Sequence, residues 1–335
     1  MKIKELYNIY DLVSFELINN TGNIFLENFN PEYKFFQSPI RTDNHFKIIV
    51  HNKKDNFFKK LRINNRCWSI DIDSYFENGI LNIFSENVGI KNYFSYIIFK
   101  NIYVRSLISL QLLIKNATLV HSCAFKINNR TYILAGRPGV FKTSILMDAI
   151  RRYSAEFIGE ENCLIHDTKV YPFPLNIDSI SYKIRFFSNE NASSKMQKVK
   201  LGISILKNFR NSKHYIKISD PCKINNLIFL IKGSEFSIRK TDINEILPYL
   251  IDNEFQELNI PPTHSLSGIN NNYFKEIIEE KELNILYNFK ENLANVLKKN
   301  LLDVNLYIVI SPQTYNKEYT NNLITMQIIP FFIIR

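Results

Sequence analysis

The run Gly136-Arg137-Pro138-Gly139-Val140-Phe141-Lys142-Thr143, with Ser144 after it, has the residue types of a loop that wraps a chain of phosphates. Backbone N–H groups converge on an anion only where no side chain collides, which calls for glycines. Gly136 and Gly139 supply them. A lysine must reach the outer phosphates as a point charge, and Lys142 is placed to do so. A Ser or Thr must follow it, to offer a hydroxyl to a magnesium ion, and Thr143 does. The usual spacing puts a further glycine where this chain has Phe141. Either the loop runs differently here, or Phe141 takes ordinary helical geometry with its ring outward. A bulky residue at positive φ would cost about 1–2 kcal/mol. The chain has only 9 glycines, and Gly136, Gly139 and Gly159 fall within a short stretch. A chain that avoids glycine has kept it here, where backbone freedom is needed.

A second constellation lies downstream. Glu160 and Glu161 set two carboxylates side by side after the apolar run Glu156–Ile158. Adjacent carboxylates repel, which raises one pKa toward a value useful to a general base. Phosphoryl transfer is mostly positioning and charge neutralisation, and it needs a cation, a metal ligand and a carboxylate near the nucleophile. His121 precedes the loop in an apolar run, and Arg185 follows Ser179–Ile184. Taken singly, each has a plain reading too: a core histidine, two surface glutamates at a strand end, a solvated arginine at a strand edge.

The elements around these residues follow from their patterns. Leu119–Ile127 reads as a strand, Asn128-Asn129 as a tight turn and Thr131–Ala135 as a second strand. The loop comes next, then a helix over Thr143–Arg152, whose N-terminus would face the phosphates. Glu156–Ile158 is a short strand. Cys163–His166, the turn Asp167-Thr168 and Lys169–Phe173 form a hairpin. Asn225–Lys232 is a strong strand and Asp242–Ile251 a helix. Before this block, Val13–Ile18, Asn23–Glu27, Phe46–Val50, Ile80–Phe84 and Tyr93–Phe99 read as strands, and Ile102–Lys115 as a helix. After it come a helical Asn272–Asn300 and strands over Asp303–Ile310 and Leu323–Ile334. The fold class is α/β, with a mixed β-sheet core that carries the loop. Three regions are expected: a β-rich 1–110 that could recognise an acceptor, a nucleotide-binding 111–260, and a helical 261–335 with terminal strands.

The order of these features resembles the HPr kinase-like group of phosphoenolpyruvate-carboxykinase-type kinases. The residues that carry the likeness are Val120-His121-Ser122-Cys123-Ala124, Thr131-Tyr132-Ile133-Leu134-Ala135, the loop, Phe157-Ile158-Gly159-Glu160-Glu161-Asn162 and Val170-Tyr171-Pro172-Phe173-Pro174. The likeness covers residues 118–175, with a weaker extension through Ile224–Ile231. It implies an HPr kinase/PEP carboxykinase-like core and an ATP-dependent transfer of a γ-phosphoryl group to a hydroxyl. By resemblance, Lys142 binds the outer phosphates, while Thr143 and one of the glutamates, Glu160, hold magnesium. The other glutamate is the base, His121 lies near the transferred phosphate, and Arg185 reaches it from a loop. The family's Asp-Asp pair is Glu-Glu here. Its Gly- and Arg-rich second signature is missing from 180–235, which argues against HPr itself as substrate.

Composition narrows the alternatives. The chain of 335 residues is 45% hydrophobic, enough for a substantial core, and its net charge of +10 favours anionic partners. The charge is spread out, no base-stacking pattern accompanies it, and nucleic acid is not the expected ligand. Cys67, Cys123, Cys163 and Cys222 show neither metal-ligand nor redox spacing, which fits a reducing, cytoplasmic setting. No apolar stretch has the length of a signal peptide or a membrane span. The expected partners are a nucleoside triphosphate and a peptide, protein or small-molecule hydroxyl, with homo-oligomerisation left open. The rival expectation is a nucleotide-binding regulatory module without phosphotransfer.

Overall fold

The computed structural model describes residues 3–20, 33–51, 68–71, 73–85, 104–175, 177–178, 180–181, 184, 216–259, 285–312, 328 and 330–331. It is a mixed α/β protein with several sheets. The chain divides into two compact units, Met1–Ala117 with Phe255–Leu293 and Thr118–Glu254 with Ala294–Arg335.

The first unit holds a five-stranded sheet ordered β1-β2-β3-β5-β4. Its strands are β1 (Ile3–Ile9), β2 (Val13–Asn19), β3 (His45–His51), β4 (Trp68–Asp71) and β5 (Ile80–Ser85). Tyr10 and Asp11 both have positive φ in the three-residue connection between β1 and β2, where Leu12 N donates to Ile9 O at 3.0 Å. One face of the sheet carries an aromatic core. Phe15 stacks on Tyr7 and Phe46 at ring separations of 4.9 and 5.4 Å. Helix α1 (Asp73–Asn78) and helix α2 (Arg105–Ile114) belong to this unit. Leu107, Ile108 and Leu112 of α2 are fully buried, as its apolar spacing requires. Asn23–Glu27 and Tyr93–Phe99 lie outside the described residues.

The second unit has two sheets. A four-stranded one is ordered β12-β11-β10-β6, and a six-stranded one β14-β15-β13-β8-β7-β9. The strands are β6 (Thr118–Val120), β7 (Ser122–Ile127), β8 (Arg130–Gly136), β9 (Glu156–Gly159), β10 (Cys163–His166), β11 (Lys169–Tyr171), β12 (Cys222–Lys223), β13 (Asn226–Gly233), β14 (Ser237–Thr241) and β15 (Asn305–Pro312). Asn128 and Asn129 both have positive φ and turn β7 back onto β8, and Asp167-Thr168 does the same between β10 and β11. Short polar side chains tolerate that backbone best. Helix α3 (Lys142–Tyr153) belongs to this unit, whereas α4 (Ile243–Asn259) and α5 (Ile285–Asn300) each have residues in both units. Asp242 caps α4, its carboxylate accepting from Asn244 N at 2.8 Å and Glu245 N at 3.1 Å. No helix among the described residues is long and apolar enough to cross a membrane.

Three expectations change. The apolar run Leu119–Ile127 is two strands in two different sheets, broken at His121. β15 is an interior strand of the six-stranded sheet, parallel to β13, so 261–335 does not stand apart as a helical region. Ile328, Pro330 and Phe331, the described residues of Leu323–Ile334, are helical rather than extended. A short apolar run does not distinguish a buried strand from a buried helix by periodicity.

Candidate active site

The six-stranded sheet gathers the candidate residues at one edge. β8, β13 and β15 are mutually parallel, β7 is antiparallel to β8, and β9 is antiparallel to β7. The C-terminal ends of β8, β9, β13 and β15 therefore share an edge with the N-terminal end of β7. Ligands of open α/β sheets bind outside such carboxyl ends. Here that edge presents the loop after β8, Glu160-Glu161 after β9, Lys232 near the end of β13, and His121 just before β7.

The loop is anchored below and open above. Arg137, Pro138 and Gly139 are exposed, whereas Val140 is buried in the core with Ile145 and Leu146. Gly136 has φ +138, and a Cβ there would come within 2.5 Å of Leu230 O on the neighbouring strand. Gly139 has φ +81. Both positions need glycine's freedom. Ile145 N makes an intrahelical bond to Phe141 O at 3.0 Å. The N–H groups of Lys142, Thr143 and Ser144 come before that bond and sit at the positive end of the helix, where an anion is favoured.

Phe141 follows neither course expected of it. It has φ 66 and ψ 12, the left-handed conformation of the glycine it replaces, and its ring packs half-buried against the core cluster. Ring burial offsets the backbone cost of about 1–2 kcal/mol. Phe141→Ala keeps the strained backbone and loses the ring, whereas Phe141→Gly relieves the strain. Chemical denaturation is expected to find the Gly variant more stable than the Ala variant by about 1 kcal/mol. Equal stabilities would show that the left-handed backbone is not held in solution.

Lys142 is buried, and its ammonium donates to Gly136 O and, at 3.2 Å, to Arg137 O. It lies folded along the loop it would serve. Thr143 Oγ1 donates to Glu160 Oε1 at 3.0 Å, joining the loop's hydroxyl to the first carboxylate. The two glutamates part company. Glu160 is buried, and Glu161 is exposed with φ 70. Glu161 and Phe141 are thus two non-glycine residues in left-handed backbone at one edge, and such strain clusters where function over-determines it. Phe173 N donates to Ile158 O at 2.8 Å, so the buried Pro172-Phe173-Pro174 element lies along β9 and fixes the strand that ends in the carboxylates.

Cys123 lies within this group, its Sγ 4.0 Å from Thr143 Oγ1. Burial, followed by the Glu160 charge, pushes its thiol up to about 12. It stays a neutral thiol and does not compete with Glu160 for a cation. His121 is buried, and its backbone is held at both ends: its N–H donates to Glu254 Oε1, and its carbonyl accepts from Asn253 Nδ2 at 3.4 Å. Ser122 pairs with Ala135, which sets His121 opposite the first residue of the loop. Arg185 lies outside the described residues.

Sequence reasoning missed the support that α4 gives. Asp252 pairs with Arg137 of the loop at 2.7 Å, and the next two residues, Asn253 and Glu254, hold His121. The Arg137–Asp252 pair is exposed and worth at most about 1 kcal/mol. Glu254 is buried, and a buried carboxylate must be hydrogen-bonded to be tolerated. No local signal marks these three residues, which act across more than a hundred positions of sequence.

Thr143 and Glu160 supply hard oxygens of the kind a magnesium ion takes, with phosphate oxygens and waters completing its shell. No cluster of three His, Cys, Asp or Glu side chains occurs among the described residues. The donor set fits an ion held jointly with a phosphate better than a dedicated protein cage. No protein-family model and no curated protein matches the chain.

Proposed function

We propose that this chain is an ATP-dependent kinase with an HPr kinase-like core, transferring the γ-phosphoryl group to a Ser/Thr-type or small-molecule hydroxyl. The observation that carries the reading is the 3.0 Å contact between Thr143 Oγ1 and Glu160 Oε1 at the mouth of a glycine-bearing loop. A simple strand–turn–helix junction has no need of a carboxylate there. The order of elements over residues 118–175, which resembles that family, supports it further.

Each residue then has a task. Gly136 to Ser144 cradle the phosphates with backbone N–H groups, and Lys142 neutralises the outer ones. Thr143 and Glu160 hold magnesium, which when bound offsets negative charge on the phosphate oxygens. Glu161, the exposed carboxylate of the pair, serves as general base. The acceptor oxygen forms its bond to the γ-phosphorus as the bond from that phosphorus to the β-phosphate oxygen breaks. The hydroxyl proton passes to Glu161 and ADP leaves. His121 sits near the transferred group, held through its backbone by Asn253 and Glu254. Arg185 keeps the role that the resemblance alone gives it.

The test is incubation of the full chain with γ-labelled ATP, magnesium and a Ser/Thr peptide library plus small hydroxyl compounds, read by mass spectrometry. The expected result is acid-stable phosphate on a defined acceptor hydroxyl, with ADP formed in step. Tight ATP binding with no ADP formed under any acceptor would instead mark a regulatory module that binds nucleotide without transferring phosphate.

A further inference from the structure

β13 lies beside β8 with Leu230 next to Gly136. It continues as Ile231, Lys232 and Gly233 beyond the point where β8 turns into the loop. Parallel neighbours that end at one edge bring their last residues to the same ligand. Lys232 is the cation this register delivers. A methyl group placed on Gly139 would stand 3.1 Å from Lys232 Nζ and 3.6 Å from its Cε. The ammonium thus hangs directly over the middle of the loop.

Its surroundings set it apart from the other cations there. Arg137 is engaged by Asp252, and Lys142 by the loop's own carbonyls. Lys232 is exposed, and its ammonium makes no hydrogen bond or ion pair among the described residues. An ammonium set beside Gly139, in the loop that leads into a helix N-terminus, adds positive charge to a region that is already positive. That arrangement is unfavourable alone and favourable around an anion. A triphosphate carries more negative charge than Lys142 and one magnesium ion neutralise, so a further cation has work to do.

We infer that Lys232 is a second phosphate-binding cation, gripping the outer phosphates of the nucleoside triphosphate together with Lys142. The inference rests on the reading of Gly136–Thr143 as a nucleotide site. Gly139 is part of the same device: a side chain there would crowd the Lys232 ammonium, its Cβ standing 3.1 Å from Nζ.

The experiment is calorimetric titration of the full chain with magnesium-ATP, inorganic tripolyphosphate and AMP. It compares wild type, Lys232→Gln, Lys232→Arg and Lys142→Ala. Loss of one charge-assisted contact predicts that Lys232→Gln weakens ATP and tripolyphosphate by about tenfold. AMP, which lacks the outer phosphates, is expected to bind equally to both. Lys232→Arg keeps the charge and should recover most of the loss. ATP affinity within twofold of wild type in Lys232→Gln, with Lys142→Ala clearly weakened, overturns the role of Lys232 and leaves the loop reading intact. Unchanged affinity in Lys142→Ala sinks the loop reading, and this inference with it.

Discussion

Lys142→Ala is expected to lower the affinity for magnesium-ATP by about 10- to 100-fold and to abolish measurable phosphotransfer. A hydrogen bond to a charged group contributes about 1.5–3 kcal/mol, which converts to that range. The substitution also removes the donors that Gly136 O and Arg137 O receive. A fall in thermal stability should therefore accompany the loss. Lys142→Arg separates the two effects, because it keeps the charge but presents a planar fork to a site shaped for a point charge. The Arg variant should recover stability more fully than nucleotide affinity. Calorimetry for binding and a thermal melt for stability read the two separately. Wild-type affinity in Lys142→Ala would remove the basis for any nucleotide function at this loop.

The carboxylates should split in the same kind of measurement. Glu161→Gln is expected to leave magnesium-ATP affinity unchanged and to cut transfer by about 100- to 10,000-fold, the range that a general base contributes. Glu160→Gln is expected to cut transfer by about 100-fold or more and also to raise the magnesium concentration needed for half-maximal binding. Its amide oxygen still accepts from Thr143 but brings no charge to the ion. The asymmetry follows from position: Glu160 is buried against the loop's hydroxyl, and Glu161 faces solvent. Transfer measured against magnesium concentration for both variants checks it. Identical profiles would show that the pair does not divide the work, and full activity in the double variant would end the kinase reading.

The parts of this site that depend on local chemistry were legible in the sequence. Glycines at Gly136 and Gly139, the Lys142-Thr143 step and the Asn128-Asn129 turn all do locally what their residue types allow. What escaped the sequence depends on register and on distant packing. Nothing in the run Leu119–Ile127 announces that His121 is the break between two sheets. That break exists because β6 pairs with β10 while β7 pairs with β8 and β9. Nor does Lys232 announce itself, since its place over Gly139 follows from the pairing of Leu230 with Gly136. Phe141 escaped for another reason. Steric rules forbid a bulky residue in left-handed backbone as a first choice, and only the core beneath its ring makes that choice stable.

The α4 residues show how far support can lie from chemistry. Asp252, Asn253 and Glu254 occupy consecutive positions and reach both the loop and His121. This one helix thus touches both the Gly136–Thr143 loop and the histidine. The left-handed backbones of Phe141 and Glu161 sit at the same edge as the loop and the histidine that α4 holds.

A crystal structure of the full chain with magnesium and a non-hydrolysable ATP analogue tests the central claim most directly. The predicted result places the β- and γ-phosphates within Gly136–Thr143. Lys142 Nζ would have moved from Gly136 O and Arg137 O onto phosphate oxygens, with the magnesium ion between Thr143 and Glu160. A nucleotide bound elsewhere, with Lys142 still on its loop carbonyls, would contradict the account.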